Sequence, residues 1–259
     1  MVVYLPLNMN TLKPVAFLGA EAAPIVTALY KLEAQFLPTL VPTSAKLGAV
    51  VQGLEPLGFL GAVFIGGAST EALTLVDGLS SSSERDGALD AISVTRGTQG
   101  SHTLEDGLLA ALESIKYRGF GANAVVLGGG ASASAAVQVA RAGVKSLTIA
   151  APDRPHAERL AKHAPAGVVV RCISLEEAAL LEALERADLL LICDAKLRLE
   201  PRLLQPYHTL VEVAGESSLA VALERIGGQV VLHKKIRAHH LSAQLEFVTG
   251  RKFKLEGLF

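Results

Sequence analysis

Short apolar runs alternate with amphipathic segments from about residue 15 to residue 119. The apolar runs have strand length and are AFLG, PTLVP, GAVFIGG and ALDAISVTR. The segments APIVTALYKLEAQ, TSAKLGAVVQGL and 103–117 carry apolar residues at helical spacing, whereas the polar stretch SSSERDG indicates a loop. This alternation predicts an N-terminal α/β domain over residues 1–119, which ends at a hinge around residues 118–121.

Beyond residue 120 the alternation of strand and helix is more regular. The predicted strands are AVVLGG, SLTIAA, GVVVRC, DLLLICDA and TLVEVAG, and helices are predicted after each of the first three and in SSLAVALERIGG. Strands that are apolar throughout are typical of a parallel sheet covered by helices on both faces. We therefore expect a doubly wound, Rossmann-like domain over residues 120–235. An amphipathic segment, 236–259, is expected to pack back across both domains.

Composition and charge limit the classes of function that the protein can have. The chain has 259 residues, of which 50% are hydrophobic, enough for one or two cores. A net charge of −1 gives no reason to expect a nucleic-acid partner. No apolar run reaches the ~18 residues of a membrane helix, and the N-terminus lacks a signal-peptide pattern, so we expect a cytoplasmic protein. Cys172 and Cys193 are expected to be free buried thiols, with a disulfide or a metal pair as the alternative.

A glycine-rich turn follows the first strand of the second domain. Residues 128–133, GGGASA, fit the pattern G-x-G-x-x-A, in which Gly128 permits a tight turn and Gly130 lets a pyrophosphate approach the backbone. The small Ala133 lets helix and strand pack closely, and the first helical residues, Ala131 and Ser132, offer N–H groups to phosphates. The context favours a dinucleotide site over a glycine turn that binds nothing.

The end of the second strand of such a sheet decides between NAD and NADP. An acidic residue there pairs with ribose hydroxyls, whereas a basic residue suits the 2′-phosphate of NADP. This chain has Asp153 followed by Arg154. Alternatively, Asp153 caps the next helix and Arg154 is a solvated surface charge. The sequence leaves NAD and NADP both open.

Five segments resemble the shikimate dehydrogenase family in order and spacing. They are GFLGAVFIGGASTEAL, GALDAISVTRGTQGSHTLEDGLLAAL, VVLGGGASASAA, ADLLLICDA and VTGRKF, and the resemblance extends over about residues 17–251. It implies an N-terminal substrate domain and a C-terminal Rossmann domain, with a small-molecule ligand in the cleft between them. It also implies NADPH-dependent reduction of 3-dehydroshikimate in aromatic amino-acid biosynthesis. We expect a monomer or a homodimer.

The residues that carry the family's chemistry are replaced. Its catalytic Lys corresponds to Ser69 or Thr70, and its catalytic Asp corresponds to Leu104. Neither leucine nor an alkyl hydroxyl replaces a carboxylate or an ammonium as acid or base near neutral pH. The family's Ser-x-Ser pair, which holds the substrate carboxylate, falls on Glu21 and Ala23, and a glutamate would repel a carboxylate.

Two histidines stand at further positions of the family's site. His102 replaces the Asn before the missing Asp, and His240 replaces a late Gln. His102 precedes a predicted helix and is either a general acid or base or a solvent-exposed loop histidine. A small shift of the alignment would bring Asp106 or Glu105 to the position of the missing acid.

The remaining polar motifs have simpler interpretations. The segment 66–70, Gly-Gly-Ala-Ser-Thr, leads into a predicted helix and is either an anion-binding nest or a plain helix cap, and capping is favoured. Ser80 to Ser83 is interpreted as a flexible loop. No metal is expected, because no His-x-x-x-His or Cys-x-x-Cys spacing occurs.

Three functions follow from this pattern. The first is a divergent nicotinamide-dependent oxidoreductase that uses His102 on another substrate. The second is a non-catalytic protein that binds a nucleotide or a metabolite. The third is an ordinary shikimate dehydrogenase. Because Lys, Asp and both serines are replaced together, we expect that shikimate chemistry is lost and that the nucleotide-domain architecture is kept.

Overall fold

A computed structural model describes residues 12–31, 35–176, 178–255 and 257–259. The described chain divides into two compact units. Of the described residues, those up to 102, 244–253 and 258 form the N-terminal unit, and those in 103–243, 254–257 and 259 form the Rossmann unit. The helix that begins at Leu104 is therefore part of the Rossmann unit. The roles assigned from sequence to residues 1–119 (substrate domain), 120–235 (dinucleotide-binding domain) and 236–259 (C-terminal segment) stay predictions.

A mixed six-stranded sheet forms the N-terminal unit, in the order β2-β1-β3-β5-β6-β4. The sheet is parallel from β2 to β3, β5 runs antiparallel to both β3 and β6, and β4 pairs parallel with β6. Its elements are β1 Pro14–Leu18, α1 Ala22–Lys31, β2 Leu37–Leu40, α2 Leu47–Leu54, β3 Gly61–Phe64, a 3-10 turn Glu71–Thr74, β4 Gly78–Leu79, α3 Ser81–Asp86, β5 Ala91–Val94 and β6 Thr98–Ser101.

Two predictions in this unit are wrong. The stretch SSSERDG forms the helix α3, whose N-cap Ser80 accepts a hydrogen bond from the Ser83 amide at 3.2 Å and whose C-cap Gly87 has φ +63°. A helix of six residues is too short to display an apolar period, and the serines serve as cap and buried residue. The helix predicted after Thr70 is only the 3-10 turn, which leads into β4.

All strands of the Rossmann unit run parallel, in the order β12-β11-β10-β7-β8-β9. The elements are α4 Leu104–Ser114, β7 Asn123–Leu127, α5 Gly130–Val137, a 3-10 turn Gln138–Ala142, β8 Ser146–Ala151, α6 Arg154–Ala161, β9 Val169–Ser174, α7 Ala179–Glu185, β10 Leu189–Ile192, a 3-10 turn Pro201–Leu203, β11 Thr209–Glu212, α8 Ser218–Arg225, β12 Gln229–Val231 and α9 His233–Thr249. The predicted doubly wound sheet is confirmed, and among the described strands of this unit the three-residue β12 alone lacks a sequence prediction.

Hydrophobic cores cover both faces of this sheet. Along β7, Ala124 and Val126 pack in the core that contains Leu108 of α4, whereas Val125 and Leu127 pack in the core on the opposite face. Alternate side chains of a strand point to opposite faces, so a strand buried on both sides is apolar at every position. The unbroken apolar run of β7 follows from this arrangement.

The C-terminal helix α9 contributes to both units. Its residues up to 243 belong to the Rossmann unit, and those from Gln244 belong to the N-terminal unit. The buried Gln244 side chain donates hydrogen bonds to the backbone carbonyls of Phe64 and Asp90, both at 3.0 Å. Among the described residues, no helix combines the length and the apolar character that crossing a membrane requires.

His208 is a buried, neutral histidine of the Rossmann unit. Its Nδ1 accepts a hydrogen bond from the Gln205 amide at 3.1 Å, so Nε2 carries the hydrogen and donates to the Leu184 carbonyl, also at 3.1 Å. Burial lowers the pKa of His208, although the Leu184 bond and the charge of Asp188 act in the opposite direction. The folded protein therefore favours the neutral ring.

We expect His208 to make the protein less stable in mild acid. Because the pKa of His208 in the fold lies below its unfolded value of 6.5, the unfolded chain binds this proton first as the pH falls. His208→Gln should therefore reduce the dependence of the free energy of unfolding on pH below about 6.5, measured by urea denaturation. An unchanged slope in His208→Gln would contradict this assignment.

Candidate functional site

The glycine turn, residues 128–133, joins β7 to α5 at the carboxyl edge of the parallel sheet. Gly128 has φ +126°, and a Cβ on it would lie 3.0 Å from the Cys193 carbonyl carbon and 3.1 Å from the Asp194 amide nitrogen. Only glycine fits here, because both the backbone angle and the neighbouring chain exclude a side chain. The turn thus lies between the ends of β7 and β10, where a doubly wound sheet binds its ligand.

The first turn of α5 is open toward a ligand. A Cβ on Gly130, which has φ +73°, would meet no atom within 4 Å. The N-cap residue Gly129 has no side chain to bond the first amides of the helix. Ala133 is fully buried beneath the turn and lets α5 pack closely on the sheet. Free space, helix-terminal amides without a side-chain cap and a positive helix end fit a diphosphate.

Both candidate cofactor-selecting residues have structural partners. Asp153 caps α6, and its Oδ1 accepts a hydrogen bond from the His156 amide at 2.7 Å. The exposed Arg154 pairs with Glu158 at 3.5 Å. Asp153 is therefore a helix cap and Arg154 a surface charge, as the alternative interpretation stated. Contact of either residue with NAD or NADP stays a prediction.

Cys193 lies directly after β10, against the glycine turn. Its single S–H faces two weak acceptors, the carbonyl oxygens of Ser132 and Leu191, both 3.8 Å from Sγ. Burial raises the pKa of this thiol, and burial likewise raises the pKa of the half-buried Cys172. Both cysteines are free, and a thiol kept neutral is a poor nucleophile. Cys193 is a packing residue of this edge.

In the N-terminal unit, Glu21 and Ser69 follow the neighbouring strands β1 and β3. The Glu21 carboxylate lies beside Gly66, 3.7 Å from where a Cβ of that glycine would stand. The Ser69 hydroxyl accepts a hydrogen bond from the Ala72 amide at 3.1 Å, so it caps the 3-10 turn, and Thr70 and Ala23 are exposed. A carboxylate next to the glycines opposes anion binding at residues 66–70.

Leu104, which the sequence resemblance predicts to stand in place of a catalytic aspartate, is a core residue of the Rossmann unit. Its side chain is buried in the cluster that includes Leu108 and Ala111. Next to it, the buried Glu105 pairs with Arg141 at 2.6 Å, and Asp106 is exposed on the first turn of α4. The backbone of His240 packs on Gly107, where a Cβ would lie 2.7 Å from the His240 Cα.

His102 belongs to a buried ion cluster, formed by Arg85, Asp86, Asp90 and His102. Its Nδ1 lies 2.6 Å from Oδ2 of Asp86, and its Nε2 lies 3.6 Å from Oδ2 of Asp90. The side chain of His102 is 2% exposed, and both aspartates are fully buried. The alternative of a solvent-exposed loop histidine is therefore wrong.

Hydrogen bonding in the ion cluster fixes the roles of its atoms. Arg85 donates to both oxygens of Asp86, from Nε at 2.6 Å and from Nη2 at 2.8 Å. Because a carboxylate that also binds an arginine only accepts, Nδ1 of His102 carries a hydrogen and donates to Asp86. This leaves Nε2 as the atom that faces Asp90. An aspartate that orients a histidine through Nδ1 is an arrangement found in general acid–base sites.

Sequence reasoning did not find Arg85, Asp86 or Asp90 as partners of His102. The two aspartates precede His102 by 16 and 12 positions, and α3 and the turn into β5 bring them together. The one signal in the sequence was the adjacent Arg85 and Asp86, which stand at the end of α3, a helix that the sequence analysis did not predict. Among the described residues, no three His, Cys, Asp or Glu side chains form a group suited to a metal ion.

Solved structures resemble the chain over almost its full length. Shikimate dehydrogenase from Mycobacterium tuberculosis matches with a TM-score of 0.75 at 24% identity, covering 95% of this chain and 98% of that one. Shikimate 5-dehydrogenase from Listeria monocytogenes, in complex with shikimate and NAD, matches with a TM-score of 0.77 at 18% identity, covering 95% and 94%. The chain has the shikimate dehydrogenase fold.

The fold also occurs with another stated activity. The 5-ketofructose reductase of Gluconobacter sp. strain CHM43 matches with a TM-score of 0.75 at 17% identity, covering 96% of this chain and 99% of that one. A scan of protein-family models and a search of curated proteins give no match. At these identities the shikimate dehydrogenase fold is shared, while the chemistry has to be argued from the site itself.

We expect the ion cluster to contribute strongly to stability. Asp86→Asn leaves the Arg85 cation and the His102 ring without their carboxylate, and breaking a buried ion pair costs about 3–5 kcal/mol. Urea denaturation should show a loss of this size. Glu246→Gln, which removes the exposed pair with Lys252 in the same unit, should cost less than about 1 kcal/mol. Equal effects of the two changes would argue against a buried cluster.

Proposed function

We propose that the protein binds a nicotinamide dinucleotide at the glycine turn and does not turn over shikimate. The observation that carries the cofactor part is the open first turn of α5, where Gly130 faces free space at the β7–β10 edge. The L. monocytogenes protein with this fold holds NAD, which supports the same class of ligand here. Bound NAD(P)H would supply a hydride, and Gly128 to Ala133 would hold its diphosphate.

Loss of shikimate chemistry is supported by what occupies the family's catalytic positions. Leu104 is part of the hydrophobic core, so no proton can be exchanged there. Ser69 is engaged as a cap, and Glu21 places a negative charge at the end of β1. A substrate that carries a carboxylate needs a cation or hydroxyl donors instead. These changes remove both the proton transfer and the grip on an acidic ring.

A second candidate is an oxidoreductase that acts on another small molecule. It is favoured by the Asp86–His102 pair, because an oriented imidazole is a suitable proton donor for a carbonyl that is being reduced. This candidate requires turnover of some hydroxy or keto compound, and His102→Asn should abolish that turnover while the protein remains folded. Without such turnover, the function reduces to binding of the nucleotide and a metabolite.

We expect NAD(H), NADP(H) or both to raise the melting temperature of the purified protein. A ligand at about a hundred times its Kd stabilises by about 2.7 kcal/mol, which a thermal-shift assay detects. Gly130→Asp should abolish the shift, because a carboxylate in the open turn repels a diphosphate. Gly130→Asn is the matched control, because Asn and Asp have similar size and both tolerate positive φ, but Asn carries no charge.

The absence of shikimate turnover has its own assay. With shikimate and NAD or NADP, no reduced cofactor should form above the rate without enzyme. A clear rate would refute the proposed loss of this chemistry and would leave the cofactor assignment intact. No shift with any of the four cofactor forms would refute the cofactor assignment.

A further inference from the structure

The imidazole of His156 packs against the glycine turn. Its Nε2 lies 3.1 Å from the position that a Cβ on Gly129 would occupy, and Cδ2 lies 3.5 Å from the same point. The pattern G-x-G-x-x-A leaves the second position open to any residue. Here that position is glycine, and a side chain on it would require the neighbouring imidazole ring to shift by a few tenths of an ångström.

The hydrogen bonds of His156 determine which ring nitrogen carries the hydrogen. Nη2 of Arg159 lies 2.9 Å from Nδ1 of His156. A guanidinium only donates, so Nδ1 accepts and the hydrogen is placed on Nε2. The backbone of His156 is held as well, since its amide donates to the cap Asp153 at 2.7 Å. The ring therefore presents an N–H donor at Gly129.

We propose that His156 binds the diphosphate of the dinucleotide through Nε2–H, an inference that rests on the proposed function. Gly129 is the N-cap of α5, so the donor lies beside the amides that would receive the phosphates. A phosphate oxygen and a ring N–H form a charge-assisted hydrogen bond. His156 would thus be a cofactor-binding residue contributed by α6 rather than by the glycine turn.

The diphosphate is a better partner for this donor than the 2′-phosphate of NADP. The 2′-phosphate would lie at the end of β8, where Asp153 places a carboxylate. Like charges at that point oppose a further anion, whereas the turn at Gly129 carries the positive end of α5. The contact should therefore serve NAD and NADP alike.

The test is a titration of the wild-type protein and His156→Ala with NADH and with NADPH, followed by fluorescence. Loss of one charge-assisted hydrogen bond should weaken both cofactors by the same factor, about tenfold. His156→Gln, whose side-chain amide donates from a similar position, should recover part of the affinity. His163→Ala, at an exposed position just beyond the same helix, should bind as the wild type does.

Other outcomes overturn the inference in distinguishable ways. A loss confined to NADPH would place His156 at the 2′-phosphate, and unchanged affinities in His156→Ala would remove it from the site. If wild-type protein bound neither cofactor, the proposed function would fail and this contact with it. His156 is half-buried and lies at the surface of α6, so the melting temperature of cofactor-free His156→Ala should stay close to the wild-type value.

Discussion

The close approach of β7 and β10 at Gly128 is the constraint on which the Rossmann unit depends. The chain leaves β7 beside the backbone of Cys193 and Asp194, and no side chain could stand between them. Because the turn is so tight, α5 begins directly over the sheet, and its small residues reach the core. The N-terminus of α5, with the open space at Gly130, therefore lies at the edge where β7 and β10 are neighbours.

Leu104 and His102 are close in sequence but are held by different interactions of the fold. A hydrophobic side chain at position 104 improves packing, because the first turn of α4 borders the core of the Rossmann unit. Nearby in sequence, His102 binds Asp86 within the fold. A buried charge needs partners of opposite sign, so this cluster can form only where several elements meet. At both positions the buried side chain has neighbours that stabilise the fold.

The sequence predicted most of this fold because most of it is encoded locally. A strand covered on both faces is apolar at every position, and helices between such strands favour a parallel sheet with helices on its faces. The prediction failed where elements are short. The helix α3 and the strand β12 span six and three residues, fewer than their periods need to become visible. The ion cluster was not predictable either, because its members meet only through α3 and β5.

The three glycines of the turn occur for different physical reasons. Comparing these reasons distinguishes a glycine that the fold requires from one that a ligand would require. Gly128 is required by the neighbouring strand end, so it would be kept whether or not a ligand binds. Gly129 lies against the ring of His156 from α6, which a side chain at this position would displace slightly. Gly130 has positive φ and free space before it. Gly128 is therefore explained by the fold alone. The evidence for a ligand in this motif comes from Gly129 and Gly130.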